Sequence, residues 1–330
     1  MPASKAATAL STVLSNTTAA NLKAGSTTTD HGVIELSSKT KPIDAAKALW
    51  KHNILGAPVW DDDEKKYIGF FDQRDTVSSV VAASKEAESA DDFTTKMVKA
   101  LSELKIGDEK EKLVDVSSDD MTISYLAARN PFVSVSESCT LADLCAALVE
   151  KHCHRVPIVD KESGKCINII SQSALVKYLA KNVPREDLAE TLDEAGLSYK
   201  KDVVSIVDTA EASEAFTLLD DKRLSGIAVV DEDGMLVGNT SARDIKMAAL
   251  DEGKIPMDTD ILSYLAKVRQ ATPQRKEKYP SCHVHTDTTV AHVIGILAKT
   301  GYHRVFVVNA EQVPVGVISV ADIVKFAISK

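Results

Sequence analysis

A short extended segment that closes on Asp or Asn occurs four times: GAPVWD (56–61), RVPIVD (155–160), GIAVVD (226–231) and RVFVVN (304–309). β-Branched residues favour extended backbone, and the closing Asp or Asn favours a turn. A polar stretch follows each copy, then a second apolar segment: YIGFF (67–71), CINII (166–170), MLVGN (235–239) and VGVIS (315–319). Each second segment runs straight into a helical pattern: DTVSSVV, ALVKYLA, DIKMAAL and DIVKFAI. A helix is also predicted before each first segment. Its apolar residues recur at helical spacing: Ile43, Ala46 and Trp50; Leu141, Leu144, Cys145 and Leu148; Ala212, Ala215, Phe216 and Leu219; Val290, Val293, Ile294 and Leu297. Thr140 and Asp143 form a candidate capping box, and Pro42 suits a first helical turn. Before each helix lies one more extended segment: VIELS, FVSVS, VVSIV or CHVHT.

The unit is therefore β-α-β-β-α and about 50 residues long. One unit this small has difficulty burying its apolar faces alone. Four copies predict an α+β fold in which unit one pairs with two and unit three with four. The 330 residues match that count, because a domain averages about 150. The expected units span 31–82, 129–181, 202–252 and 280–330. Residues 1–30 are expected to be disordered or a short helical lead-in. Residues 83–128 read as an inserted surface linker with a helix near 92–104. Residues 182–201 link the halves, and 253–279 separate units three and four with a charged loop, PQRKEKYP.

Lys and Arg number 39 against 48 Asp and Glu, a net charge of −9. An acidic chain lacks the excess cations that sequence-independent nucleic-acid binding needs. The longest apolar run, Leu144 to Val149, is six residues, far below the roughly 18 of a membrane span. The five cysteines are odd in number and form no CxxC pair, so reduced thiols in a cytoplasmic or nuclear protein are expected. Residues 1–29 contain no Asp, Glu or Arg and lack the apolar stretch of a secretory signal.

The order of segments, and above all GAPVWDDDEKKYIGFF, HRVPIVDKESG with INIISQSALVKYL, and HRVFVVNAEQVPVGVISVADIVKF, resembles the CBS domain. CBS domains occur in pairs known as Bateman modules. Four repeats with little else are similar to the gamma subunit of AMP-activated protein kinase and its fungal and plant relatives, over roughly residues 31–330. The resemblance implies two Bateman modules packed as a disk. It also implies a non-catalytic regulatory subunit that senses AMP, ADP or ATP, and kinase alpha and beta subunits as partners. No cofactor is implied.

The resemblance also assigns residues. The strand-to-helix junctions read Asp72-Gln73-Arg74-Asp75, Ser171-Gln172-Ser173-Ala174, Ser241-Ala242-Arg243-Asp244 and Ser319-Val320-Ala321-Asp322. In the family the last Asp binds a nucleotide ribose, which carries over to Asp75, Asp244 and Asp322. A carboxylate can accept from two vicinal hydroxyls, and a helix N-terminus with Ser241 or Ser319 offers donors to a phosphate. Ser-x-x-Asp is equally a capping box, and both roles can coexist. Asp72 stands where a hydroxyl is usual and brings a second negative charge, which Arg74 could offset.

Basic pairs precede the first strand: His154-Arg155, Lys222-Arg223 and His303-Arg304. Each Arg lies 18 to 21 residues before its junction, which predicts one equivalent position and, by the resemblance, contacts to phosphate. A surface or packing role is the alternative. Leu55 and Ser173 replace basic residues of the family, leaving Lys177, so the second half is expected to bind more tightly. The alternating His152-Cys153-His154 and His283-x-His285 lack the further ligands a metal site needs. A stand-alone adenylate sensor for another enzyme or transporter, and a structural adaptor with decayed sites, remain as other readings.

Overall fold

The computed structural model describes residues 4–22, 28–29, 32–52, 54–73, 75, 77, 122–127, 130–199, 202–245, 257–271 and 281–329. Helix α1 (Lys5–Ser15) opens the chain, followed by a small hairpin of β1 (Thr28–Thr29) and β2 (Gly32–Val33). Unit one holds β3 (Leu36–Ser37), α2 (Pro42–Lys51), β4 (Gly56–Asp61) and β5 (Lys66–Asp72). After α3 (Ser124–Ala127), unit two holds β6 (Val135–Ser136), α4 (Leu141–Glu150), β7 (Arg155–Val159), β8 (Cys166–Ser171) and α5 (Gln172–Asn182). After α6 (Leu192–Ala195), unit three holds β9 (Ser205–Val207), α7 (Ala212–Asp221), β10 (Gly226–Val230) and β11 (Leu236–Ser241). After α8 (Ile261–Ala271), unit four holds β12 (His283–His285), α9 (Val290–Thr300), β13 (Arg304–Val308), β14 (Pro314–Ser319) and α10 (Val320–Ala327).

The four three-stranded sheets share one topology. The first strand of each unit pairs parallel with the central strand, and the third pairs antiparallel. Each hairpin breaks register at the same place: Val59/Trp60, Ile158/Val159, Val229/Val230 and Val307/Val308. The crossover helices bury the faces their spacing predicts. Leu141, Leu144, Cys145 and Leu148 are buried on α4, and Val290, Val293, Ile294 and Leu297 on α9. Thr140 and Asp143 make the predicted capping box, and Pro42 occupies the first turn of α2.

The units pair one with two and three with four, by two devices. First, their sheets pack face to face. Phe70, Cys166 and Ile169 meet Val33, Tyr67 and Phe132 in the first pair, where the Tyr67 and Phe132 rings stack at 4.4 Å. Ala228, Val230 and Phe306 meet Val203, Leu236 and Val317 in the second. Second, each unit lends its leading helix to its partner. Thr17, just after α1, accepts from the Leu141 amide of unit two at 2.8 Å. Ile123, just before α3, donates to Thr40 of unit one at 2.9 Å. Likewise α6 docks on unit four through Leu192 to Thr288 at 3.1 Å, and α8 on unit three through Ile261 to Ala210 at 2.9 Å. The helices of units one and three then form one core, and those of units two and four another. Each unit thus touches one neighbour by its sheet and another by its helices, which closes the four into a disk.

Three expectations need correction or comment. The N-terminal segment is helical and more than a lead-in: Ala6, Leu10 and Leu14 are fully buried in the second core. Ser4 caps α1 by accepting from the Ala7 amide at 2.9 Å, and Glu190 accepts from the Ala6 amide at 2.8 Å. The segment 83–128 is not all surface, because Ile123, Leu126 and Ala127 at its end are fully buried in the first core. The helix expected near 92–104, Arg74, and most of the helices expected after β5 and β11 lie outside the described residues.

Candidate functional site

The antiparallel register brings the first residue of each central strand opposite the last residue of the third. The pairs are Gly56 with Asp72, Arg155 with Ser171, Gly226 with Ser241, and Arg304 with Ser319. The next helix or turn starts at the same place, so an arginine or a glycine, a hydroxyl or carboxylate, and a set of backbone N–H groups converge at each junction.

The junction acids are held by their own helix starts. Asp322 accepts at Oδ2 from the Ser319 amide at 2.8 Å and its hydroxyl at 2.7 Å, and Ser319 accepts from the Asp322 amide at 3.3 Å. Asp244 repeats this with the Ser241 amide at 2.8 Å and hydroxyl at 3.0 Å. Asp75 accepts from the Asp72 amide at 2.9 Å and from Asn130 Nδ2 at 3.2 Å. All three therefore serve their local turns, and these bonds fall on one carboxylate oxygen, Oδ2. Asp75 and Asp244 are buried and Asp322 partly so. In unit two, where Ala174 replaces the acid, Ser171 still caps α5 through the Ala174 amide at 3.2 Å.

Each even unit sends its arginine across to the odd unit of its pair. Arg155 Nη2 lies 3.2 Å from Asp72 Oδ2, and both side chains are only 11% exposed. Arg304 donates from Nη1 to the Gly226 carbonyl and from Nη2 to the Ser225 hydroxyl. Glycine at the facing position makes room. A Cβ on Gly56 would stand 2.0 Å from Arg155 Nη1, and one on Gly226 would stand 3.1 Å from Arg304 Nε.

The junctions also meet across pairs, since Gln73 Nε2 donates to the Ala242 carbonyl at 3.3 Å. His303 feels the result. Burial, and then the charges of Arg243, Arg304, Arg155 and His154, push its pKa down to about 3. Its imidazole is therefore neutral at pH 7. Burial holds Arg304 down to about 10, and Asp322 pulls it back up, so it remains a cation. An anion placed among these groups would lower their mutual repulsion and favour the imidazolium of His303.

Of the residues singled out by sequence, His154, Arg155, His303 and Arg304 come together with the junctions of Ser319, Asp322, Ser241 and Asp244. Arg223 does not share their position. Its offset of 21 is too long: Gly226 fills the register place of Arg155 and Arg304, and Arg223 sits exposed three residues earlier at φ +51°. It matches His152, also at φ +51°, which makes the same left-handed turn after its helix. Lys177 is exposed on α5. Sequence reasoning missed Arg243, although it sits beside Asp244, and missed Asp72 as the partner of Arg155. Among the described residues no group of three or more His, Cys, Asp or Glu is placed to hold a metal ion. No helix among them is long and apolar enough to cross a membrane.

The family model for the CBS domain matches residues 123–181, 197–251 and 279–329. The chain belongs to the CBS-domain family. The matched stretches cover units two, three and four, and unit one repeats their sheet topology. Among curated relatives, the 5'-AMP-activated protein kinase subunit gamma-3 of Sus scrofa is 25% identical over 285 residues, 84% of this chain and 50% of that one. Protein SDS23 of Eremothecium gossypii is 25% identical over 303 residues, 85% of this chain and 58% of that one. The chain thus spans about half to three-fifths of these relatives. Among solved structures, a Methanocaldococcus jannaschii protein described as a candidate archaeal homologue of g-AMPK matches with a TM-score of 0.64 at 14% identity, over 91% of this CBS protein and 97% of the other. A conserved protein of Pyrococcus horikoshii matches with a TM-score of 0.51 at 15% identity, over 83% and 91%. Both likenesses concern the fold of this CBS protein.

Proposed function

We propose that this CBS protein is a non-catalytic regulatory subunit that senses AMP, ADP or ATP and acts on a protein kinase through alpha and beta subunits, in the cytoplasm or nucleus. The observation that carries the reading is the gathering of Arg243, Arg304 and His303 in an acidic chain, with His154 and the Asp72-paired Arg155 near enough to act on His303. Such a cluster favours a ligand with several negative charges close together, as a nucleotide phosphate has. The junction acids of the second pair, Asp244 and Asp322, supply acceptors for ribose hydroxyls, and Asp75 holds the equivalent place in the first pair for a ligand that is not excluded by the charge of Asp72. Ser241 and Ser319 supply further donors once their hydroxyls turn from Asp244 and Asp322 to the phosphate. The similarity to an AMP-activated kinase gamma subunit over 84% of the chain supports the choice of adenine nucleotide and of kinase partner. The equal identity to Protein SDS23 favours a second reading of the partner alone, in which the same sensor acts on a different enzyme.

The test is a parallel titration of AMP and adenosine into the native chain and the Arg304→Gln variant at two salt concentrations. The variant should bind AMP about 10- to 150-fold more weakly, because one charge-assisted contact is lost. Adenosine, without phosphates, should be little affected. Salt should weaken AMP binding less in the variant. Equal losses for both ligands would remove the phosphate assignment. Identifying the proteins that co-purify from the native source decides between the two partners.

A further inference from the structure

The two pairs treat their bridging arginine differently. In the second pair the guanidinium of Arg304 is bonded to neutral oxygens, the Gly226 carbonyl and the Ser225 hydroxyl. In the first pair the guanidinium of Arg155 lies on the Asp72 carboxylate at 3.2 Å, with both groups largely shielded from water. The register shows why. Asp72 occupies the place that Ser171, Ser241 and Ser319 hold in the other units, directly opposite the glycine that admits the arginine. Asp75 stands one turn further on, with its Oδ2 on the Asp72 amide, so two carboxylates crowd this junction. Shielding from water strengthens the attraction of the pair for each other.

We propose that Asp72 is an internal anion that stands in for a ligand phosphate on Arg155, and so closes the first pair of units to phosphorylated ligands. This rests on the nucleotide-sensing reading and adds a residue that decides where the nucleotide sits. A phosphate entering the first junction must displace a carboxylate already on the arginine, and must then lie beside two negative charges. A phosphate entering the second junction meets Arg304 with its hydrogen bonds on neutral oxygens, and Asp322 acts on it as a nearby charge. Asp72 thereby directs the ligand to the pair formed by units three and four, and leaves the first pair as a scaffold.

The test uses the full chain with two probes, AMP and inorganic tripolyphosphate, titrated by calorimetry. Asp72→Ser installs the residue found at the three equivalent places, and Asp72→Asn keeps the shape without the charge. Either variant should create a tripolyphosphate site at the first pair, about tenfold or more tighter than in the native chain. That site should persist when Arg304→Gln is added and vanish when Arg155→Gln is added. In the native chain, the Nε–Hε resonance of Arg304 should shift on adding AMP while that of Arg155 stays in place. This second measurement needs no substitution and holds even where the variants fold poorly. A native Arg155 resonance that moves with AMP, or folded Asp72 variants that gain no site, would overturn the proposal. If the variants gain a tripolyphosphate site that needs Arg155 while neither they nor the native chain bind AMP, the internal anion stands and the nucleotide reading falls.

Discussion

Gly226 lies directly beneath the guanidinium of Arg304: a Cβ there would stand 3.1 Å from Nε, 3.2 Å from Cζ and 2.9 Å from the Thr240 carbonyl oxygen. The arginine can swing aside, but the carbonyl belongs to the neighbouring strand and cannot yield without moving the sheet. Gly226→Ala should therefore cost about 1–3 kcal/mol of stability, the usual effect of overpacking. It should also weaken AMP binding by displacing Arg304. Denaturant unfolding and AMP titration on the same preparation check both effects. Native values for both would mean that the strand accommodates a methyl group here.

Asp322 has two roles to separate. It closes the capping box of α10 with Ser319, and by the proposed function it accepts from ribose hydroxyls. Asp322→Ala removes both and should lower stability by roughly 1 kcal/mol while weakening AMP binding. Asp322→Asn keeps an acceptor for the Ser319 amide and removes the charge, so its unfolding midpoint should lie near the native one while AMP binding still falls. An Asn variant with native affinity would leave Asp322 as a helix cap alone.

His303 makes stability depend on pH. Its folded value, about 3, lies below the ordinary value of about 6.5 that the unfolded chain would show. As pH falls, the unfolded chain takes up the proton first, so stability drops from pH 6.5 downward until the folded imidazole titrates too. Between pH 7 and pH 5 the loss should be on the order of 2 kcal/mol. His303→Gln should flatten this part of the profile. Thermal melts of both chains at pH 7, 6 and 5 measure it, and identical slopes would dissociate the pH dependence from His303.

Leu10 of α1 is fully buried among residues of units two and four. Leu10→Ala should cost about 2–5 kcal/mol, as for other buried leucines. Exposed Thr8, two residues earlier on the opposite face of the helix, serves as the control: Thr8→Ala should change stability by less than about 0.5 kcal/mol. Comparable midpoints for the two variants in denaturant would show that α1 is not part of the core.

Local sequence determined the parts of this protein. Helical spacing placed the buried faces of α4, α7 and α9, alternation of apolar and turn residues placed the hairpins, and Thr140 with Asp143 marked a helix start. These features depend on residues a few positions apart, so repetition along the chain makes them legible. It also made the one-two and three-four pairing predictable, since a lone unit lacks a core. Tertiary structure decided how the parts meet. The exchange of leading helices turned α1 and Ile123–Ala127 from expected periphery into core. Arg223 lost its expected place because counting to a junction cannot see the turn length before a strand, whereas the register of β10 on β11 puts Gly226 there. Arg155 meets Asp72 only because two sheets from distant parts of the chain pack face to face. The strength of that contact comes from burial, which no neighbouring residue in the sequence encodes.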